Sequence, residues 1–102
     1  MNRLTFAACL ATLALAAGPA AAQDPNLARN LAATCANCHG TNGHAVPGAG
    51  MPTLVGQSKE SIVQRFKEYR AGTRPATVMH QIAKGYSDAQ VELLADWFAA
   101  QK

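Results

Sequence analysis

The chain has 102 residues, of which 49% are hydrophobic and 15% are charged, and its formal net charge is +3 at pH 7. A single domain of this length buries a small core, which is only marginally stable on its own. The basic residues are scattered and do not alternate with aromatic side chains, so the composition gives no support to nucleic-acid binding.

The first 22 residues have the parts of a secretory signal peptide. A short positive region is followed by the apolar residues 4–17 and by Ala20-Ala21-Ala22, which matches a cleavage site of the A-x-A type. An uncleaved membrane anchor is the alternative, but 14 apolar residues are fewer than the about 20 that span a bilayer. We expect a signal peptide over residues 1–22, export to the periplasm, and a mature domain over residues 23–102 without a membrane span.

The mature domain is predicted to begin with a helix. Asp24 has the form of an N-cap followed by proline at the first helical position. Leu27, Leu31 and Cys35 then recur at the spacing of one helix face. The sequence therefore predicts a first helix that begins after Asp24 and ends in residues 35–39.

That predicted helix ends in a C-x-x-C-H run formed by Cys35, Cys38 and His39. On a helical turn, residues three and four positions apart project toward one surface. Two thiols can form thioether bonds to the vinyl groups of one porphyrin while the imidazole binds its iron. The run therefore predicts one covalently attached haem c, held by Cys35 and Cys38, with His39 as an axial ligand.

A C-x-x-C pair has three other uses: a dithiol for disulfide exchange, half of a zinc site, and a structural disulfide. A thioredoxin-like dithiol is expected within a βαβ pattern, and zinc needs a second Cys or His pair at ligand spacing. Neither pattern is present in the sequence, and His44 and His80 each stand alone. We expect both of these histidines to lie in solvated loops.

A loop and a second helix are predicted to follow. Residues 40–56 are rich in Gly, Pro, Asn and Thr and predict a loop around the side of the haem that His39 binds. The second helix is predicted over residues 58–71, capped by Ser58 and ended by Gly72. Its inner face would consist of Ile62, Val63, Phe66 and Tyr69.

The loop after the second helix carries Met79, 40 residues after His39. Ligation of iron by His and Met together raises the reduction potential, and it closes the iron to other ligands. We expect Met79 to be the second axial ligand, because its loop allows the chain to cross to the other haem face, although a methionine packed in the core is an alternative. Met51, next to Pro52, is expected to stay on the side of His39, and His80 would lower the potential if it bound instead.

A last helix is predicted to begin at the capping box of Ser87 and Gln90. The apolar stripe of that helix consists of Val91, Leu94, Ala95 and Phe98. No segment has the alternating pattern of a convincing strand. The sequence therefore predicts an all-α fold of three to four helices around one haem.

Four segments of the chain resemble those of class I c-type cytochromes. They are the C-x-x-C-H run, Met51-Pro52-Thr53-Leu54-Val55-Gly56-Gln57, Arg74-Pro75-Ala76-Thr77-Val78-Met79 and Ile82-Ala83-Lys84-Gly85-Tyr86-Ser87. Within this family the chain is most similar to the cytochrome subunit of flavocytochrome c sulfide dehydrogenase and to small cytochromes of the c-553 kind. The resemblance covers essentially all of residues 23–102 and implies the small class I fold.

The resemblance also implies roles for individual residues. Cys35 and Cys38 would form the thioethers, while His39 would be the proximal and Met79 the distal ligand. The carbonyl of Pro52 would accept a hydrogen bond from the imidazole, which fixes the ring and tunes its basicity. The first and last helices would cross at the haem edge, with Leu27 or Leu31 meeting Trp97 or Phe98.

The function that the resemblance implies is outer-sphere electron transfer by a periplasmic carrier that is not an enzyme. The implied donor is a sulfide-oxidising flavoprotein subunit, in a monohaem version because no second C-x-x-C-H run follows in these residues. A general soluble shuttle to a terminal oxidase or reductase is one alternative, and a five-coordinate haem sensor or peroxidase is another. Four basic residues could form a ring that steers an acidic partner, or be ordinary solvated charges: Lys59, Lys67, Arg74 and Lys84.

Overall fold

A computed structural model describes residues 24–102 of the chain, so the predicted signal peptide lies outside the described residues. Over this range the chain forms five α-helices and two short 3-10 turns, with no strand. The helices are α1 (Leu27–Ala33), α2 (Ala36–His39), α3 (Lys59–Ala71), α4 (Met79–Ile82) and α5 (Asp88–Ala99), and the 3-10 turns are Thr41–Gly43 and Ala83–Gly85. The predicted all-α class is confirmed; α2 and α4 are single turns, which explains why there are more helices than expected. None of the helices in this range has the length and apolar character needed to cross a bilayer.

The first predicted helix is divided into two. Helix α1 begins at Leu27 with Asn26 as its N-cap, so the prediction of Asp24 as the N-cap is wrong. The Oδ1 of Asp24 instead accepts a hydrogen bond from the backbone N of Asn26 at 2.8 Å, which closes the turn before the helix. At the other end, Oγ1 of Thr34 donates to the carbonyl of Leu31 at 2.9 Å. Side-chain bonds of this kind compete with the helical ladder, and α1 ends before Cys35.

Helices α3 and α5 begin where their caps predict. The Oγ of Ser58 accepts a hydrogen bond from the backbone N of Ser61 at 3.2 Å, and α3 ends at Gly72, whose φ is +74°. Ser87 and Gln90 form the predicted capping box, with bonds of 3.2 and 2.9 Å. The predicted starts of both helices and the predicted end of α3 are therefore confirmed.

The core lies where α1 and α3 pack against α5. Its buried residues are Ala32, Ile62, Leu94, Ala95 and Phe98. Leu31 and Trp97 pack against this cluster, whereas Leu27 is 36% exposed. The first and last helices thus meet as the resemblance implied. Leu31, in the second turn of α1, is the residue of the predicted pair that packs against the core cluster.

Charged side chains fasten α3 to α5 and to the segment that precedes α5. The Nζ of Lys59 lies 3.0 Å from Glu92 and 2.9 Å from Asp96, and these two carboxylates raise the pKa of the Lys59 ammonium. Arg70 donates to the carboxylate of Asp88 and, at 2.8 Å, to the carbonyl of Tyr86. The segment between α4 and α5 is therefore held against the end of α3.

Candidate functional site

A cavity of about 510 Å³ lies between α3, the C-x-x-C-H turn, the loop before α3 and the segment around α4. Cofactor sites usually have volumes of about 300–1,000 Å³ and mostly apolar walls. The apolar residues that line this cavity include Leu54, Ile62, Phe66, Val78, Ile82 and Phe98. Its size and lining suit a large and mainly apolar group.

Cys35, Cys38 and His39 all line this cavity because they share one helical turn. The backbone N of His39 and that of Cys38 both donate to the carbonyl of Cys35, at 2.9 and 3.3 Å, which closes the turn. The two thiols are not joined in a disulfide; Cys35 is half-buried and Cys38 is exposed. Two thiols and an imidazole therefore border one apolar space, which is the donor set that thioether attachment of a haem requires.

The thiol of Cys35 differs from that of a disulfide-exchanging pair. Burial raises the pKa of the Cys35 thiol; a hydrogen bond with Thr34 acts in the opposite direction, and the neighbouring Cys38 adds to the increase. Exchange dithiols instead have a lowered thiol pKa, because the thiolate is their nucleophile. The surroundings of Cys35 thus keep a neutral thiol and do not resemble those of a thioredoxin-like site.

The imidazole of His39 is oriented by Pro52, which lines the same cavity. The Nδ1 of His39 lies 2.7 Å from the carbonyl oxygen of Pro52. A carbonyl can only accept, so the proton is on Nδ1 and the lone pair of Nε2 is left for a metal. This pair therefore has the geometry that a ligating histidine and its supporting acceptor require.

Gly40 and Gly43 allow the loop after α2 to fold back toward His39. Gly40 has a φ of +79°, and a Cβ at this position would lie 1.8 Å from the carbonyl oxygen of His44, so only glycine fits. The carbonyl of Gly43 accepts hydrogen bonds from the backbone N of Leu54 at 2.9 Å and from Oγ1 of Thr53 at 2.7 Å. These bonds hold the residues after Pro52 and so keep the Pro52 carbonyl beside the imidazole.

Met79 lines the cavity from a different segment of the chain. It is the first residue of α4, so the prediction that it lies in a loop is wrong. The carbonyl of Val78 accepts from the backbone N of Gln81 at 2.9 Å and of Ile82 at 3.1 Å, which closes this single turn. A four-residue helix is too short to give a periodic hydrophobic pattern, and for this reason the sequence did not indicate it.

The two alternatives to Met79 occupy different positions. His80 is half-buried on α4 and is not among the residues that line the cavity, so its expected place in a solvated loop is wrong. Within residues 24–102, its Nδ1 is a buried polar atom without a hydrogen-bond partner. Met51 does line the cavity, but it is adjacent to Pro52, whose carbonyl is bonded to His39. Met79 is therefore the thioether that reaches the cavity independently of the His39 side.

The other isolated histidine, His44, is exposed. Its ring nitrogens lie 3.2 Å from the carbonyl oxygen of Thr41 and 2.9 Å from that of Lys102. In the part of the chain that the structure describes, no group of three or more His, Cys, Asp or Glu side chains could hold a bare metal ion. His44 is thus outside the cavity and bound to backbone, in agreement with its expected position in a loop.

The cavity wall contains a polar pair that was not predicted from the sequence. Nη1 of Arg65 donates to Oε1 of Gln57 at 2.7 Å, and both residues line the cavity. Arg65 lies three residues after Ile62, on the inner face that the helical period already predicted for α3. That spacing could have identified it. A guanidinium at the wall of an apolar cavity suits an anionic group on the bound molecule.

The predicted ring of basic residues is only partly available to a partner. Lys59 is paired with Glu92 and Asp96. Nε of Arg74 lies 2.7 Å from Oε2 of Glu68, and its guanidinium carbon lies 5.8 Å from the centre of the Tyr69 ring. Two of the four cations, Lys59 and Arg74, are therefore paired with carboxylates within the fold, and a steering role for the ring stays a prediction.

The rim of the cavity is apolar instead. Met51, Val78 and Ile82 line the cavity and are also 47%, 53% and 42% exposed. Residues 45–57 and 75–79 contain no acidic or basic side chain. A molecule that approaches the cavity therefore meets an uncharged surface first.

Comparison with known proteins identifies several relatives, although no protein-family model matches the chain. The chain is 37% identical over 68 residues to the cytochrome subunit of sulfide dehydrogenase of Chlorobaculum tepidum, which covers 67% of this chain and 60% of that protein. It is 40% identical over 70 residues to the thiosulfate dehydrogenase electron acceptor of Thiomonas intermedia, covering 66% of this chain and 32% of that protein. It is 34% identical over 89 residues to cytochrome c-554(548) of Halomonas halodenitrificans, covering 84% of this chain and 100% of that protein.

The lengths of these relatives differ from that of the chain. The chain spans less than two thirds of the sulfide dehydrogenase subunit and about a third of the thiosulfate dehydrogenase electron acceptor. By contrast, it covers the Halomonas protein along its full length. The similarity therefore extends over one complete small relative and over part of each larger one.

Proposed function

The chain belongs to the class I c-type cytochromes, and we propose that it is a periplasmic electron carrier with a single covalently bound haem. Transfer of electrons through a haem c is the general function that its relatives indicate. Three finer points are our proposal for this chain. They are attachment of the haem through Cys35 and Cys38, axial ligation by His39 and Met79, and export from the cytoplasm.

The observation that carries this proposal is that all four of these side chains line the same apolar cavity. When bound, the haem supplies an iron that changes between the ferric and ferrous states. The residues of the chain anchor and orient it: the thiols hold its edge, and Nε2 of His39 is directed by the Pro52 carbonyl. Met79 would bind the iron from a different segment of the chain and so exclude water and other small ligands.

The walls of the cavity support the same function. Leu54, Ile62 and Phe66 give the haem an apolar surface, so water is excluded and the surroundings change little with each electron. Arg65 and Gln57 would face the carboxylates of the haem, where a charge-assisted hydrogen bond fixes its rotation in the cavity. Neither role needs an acid, a base or a nucleophile.

We propose a sulfide-oxidising flavoprotein as the electron donor. Support comes from the sulfide dehydrogenase subunit to which the chain is 37% identical. The thiosulfate dehydrogenase electron acceptors, at 40% identity, favour a second candidate, an enzyme that oxidises thiosulfate. Co-purification with the tagged chain separates these donors, because the captured enzyme would reduce the haem with sulfide in one case and with thiosulfate in the other. Reduction by neither would leave a general shuttle to a terminal oxidase or reductase.

Carbon monoxide binding to the reduced protein tests the carrier function against a haem sensor or peroxidase. We expect the wild type to resist carbon monoxide, because Met79 would bind the iron where carbon monoxide must bind. The Met79→Ala variant should bind it readily. Equal and rapid binding by both proteins would show an open iron site and contradict the proposal.

A further inference from the structure

Tyr86 lines the cavity and contacts two other parts of the fold, α3 and the residue before the C-x-x-C-H turn. Its carbonyl accepts a hydrogen bond from Nη2 of Arg70 at 2.8 Å. Its ring meets that of Phe66 edge-on, with 6.0 Å between ring centres and an interplanar angle of 88°. Its hydroxyl lies 2.9 Å from Oγ1 of Thr34, the residue before Cys35. One half-buried side chain therefore touches α3 and the start of the C-x-x-C-H turn.

Tyr86 also ends the segment that begins with Met79. Helix α4 leads directly into the 3-10 turn Ala83–Gly85, and Tyr86 is the next residue. Arg70 holds this turn as well, since its Nε donates to the carbonyl of Ala83 at 3.4 Å. The segment is short, its first turn is closed by bonds to the carbonyl of Val78, and Arg70 holds its other end at Ala83 and Tyr86, so the position of Tyr86 constrains the position of Met79.

The hydroxyl bond has a defined direction. Oγ1 of Thr34 donates its proton to the carbonyl of Leu31 at 2.9 Å, so it can only accept from Tyr86. The Tyr86 hydroxyl is therefore the donor. Replacement of Tyr86 by phenylalanine removes this donor and leaves the aromatic contact with Phe66 in place.

We propose that Tyr86 is a positioning residue: its bond to Thr34 fixes the Met79 segment relative to the C-x-x-C-H turn, and thereby sets how readily Met79 leaves the iron. This inference rests on the proposed ligation by Met79. It assigns no chemistry to Tyr86 itself, which acts through the backbone between residues 79 and 86.

Titration of the oxidised holoprotein with imidazole tests this inference, because imidazole must displace the axial thioether to bind. We expect Tyr86→Phe to raise the apparent affinity for imidazole about three- to tenfold, the factor that corresponds to one net hydrogen bond. The visible spectrum reports the exchange directly. A lower reduction potential should accompany it, since weaker thioether ligation favours the ferrous state less.

Thr34 provides matched variants at the other end of the bond. Thr34→Val should raise the imidazole affinity by a similar factor, whereas Thr34→Ser keeps the hydroxyl and should behave as the wild type. The imidazole affinity of the double variant Tyr86→Phe and Thr34→Val should be no higher than that of either single variant, because both substitutions remove the same bond. A general loss of stability would not give this pattern, and urea unfolding of each variant measures that loss separately.

Three results would overturn the inference. The first is an unchanged imidazole affinity in both Tyr86→Phe and Thr34→Val, and the second is additive effects in the double variant. The third is a Met79→Ala protein whose oxidised spectrum equals that of the wild type, which would refute the proposed ligation and this inference together. The first two results would leave ligation by Met79 intact, so the two proposals fail separately.

Discussion

The carbonyl oxygen of Pro52 lies 2.7 Å from Nδ1 of His39, although 13 residues separate them in the chain. This contact depends on a loop that turns at Gly40 and is fastened at Gly43. A hydrogen bond from the ring of a metal-binding histidine orients the ring and raises its basicity. The position of the loop therefore affects the chemistry expected at Nε2, on the other side of the ring.

Pro52→Gly tests the role of this loop. The substitution keeps the carbonyl but lets the backbone move, so we expect a weaker bond to His39 and a higher reduction potential, because a less basic imidazole stabilises the ferric state less. The free energy of unfolding should fall by about 0.4–1 kcal/mol from the greater freedom of the unfolded chain. Pro47→Gly is the control: it should lower stability similarly and leave the potential unchanged. Equal potentials in all three proteins would contradict this role of Pro52.

Gly40→Ala is expected to destabilise the protein by more than backbone strain alone. A non-glycine residue at positive φ costs about 1–3 kcal/mol, and the added Cβ of Gly40→Ala would also overlap the carbonyl oxygen of His44 at 1.8 Å. Gly48→Ala is the matched control, since Gly48 has a φ of +80° and nothing within 4 Å of a Cβ. Urea unfolding should show a larger loss of stability for Gly40→Ala than for Gly48→Ala. Equal losses would mean that the close approach to His44 is relieved at no cost.

The ion pair between Glu68 and Arg74 should make stability depend on acid. Hydrogen bonds from Arg74 and Gln64 lower the pKa of the Glu68 carboxyl below its ordinary value of 4.5, and the nearby charge of Arg65 adds to this effect. The ion pair therefore contributes to the free energy of unfolding above pH 4.5. This contribution is lost as the pH falls through the lower pKa of Glu68 in the folded state. Glu68→Gln should be less stable than the wild type at pH 7 and should approach it at pH 3.

Urea unfolding at both pH values measures this dependence. Arg74→Gln provides the control, because without this partner the Glu68 carboxylate adds little to the free energy of unfolding. In the Arg74→Gln background, Glu68→Gln should therefore lower that free energy little further. If the free energies of unfolding of the wild type and Glu68→Gln differ by the same amount at pH 7 and pH 3, the assignment to this ion pair is contradicted.

The uncharged rim of the cavity predicts weak dependence of electron exchange on salt. Association steered by charge is faster by a factor of about 10–1,000 and falls steeply with ionic strength. Since Met51, Val78 and Ile82 form this rim, we expect rate constants with small anionic and cationic redox reagents to change by much less than tenfold between low and high salt. Val78→Lys should accelerate the anionic reagent at low salt. A strong salt effect in the wild type would point to Lys67 and Lys84 instead.

Local signals were sufficient for much of this fold. Ser58 and Ser87 predicted the starts of α3 and α5, because a cap and its acceptor lie within one turn of each other. The C-x-x-C-H turn likewise needed no information beyond five residues. Where two local bonds compete, as at Asp24 and Thr34, the same approach misplaced the ends of α1.

Contacts between distant residues could not be predicted in this way. The sequence suggested a docking cation or an ordinary solvated charge at Lys59. Its partner Asp96 is 37 residues away and reaches it only after α3 packs on α5. The bond between Thr34 and Tyr86 joins positions 52 residues apart. Helical spacing places Arg65 on the inner face of α3, but its bond to Gln57 depends on where the preceding loop ends.

The intact mass of the exported protein, measured under denaturing conditions, tests the central claim most directly. We expect the mass of the processed polypeptide plus one haem, and the bare polypeptide mass for a variant in which Cys35→Ser and Cys38→Ser are combined. A wild-type mass equal to that of the polypeptide alone would contradict covalent attachment at these two thiols.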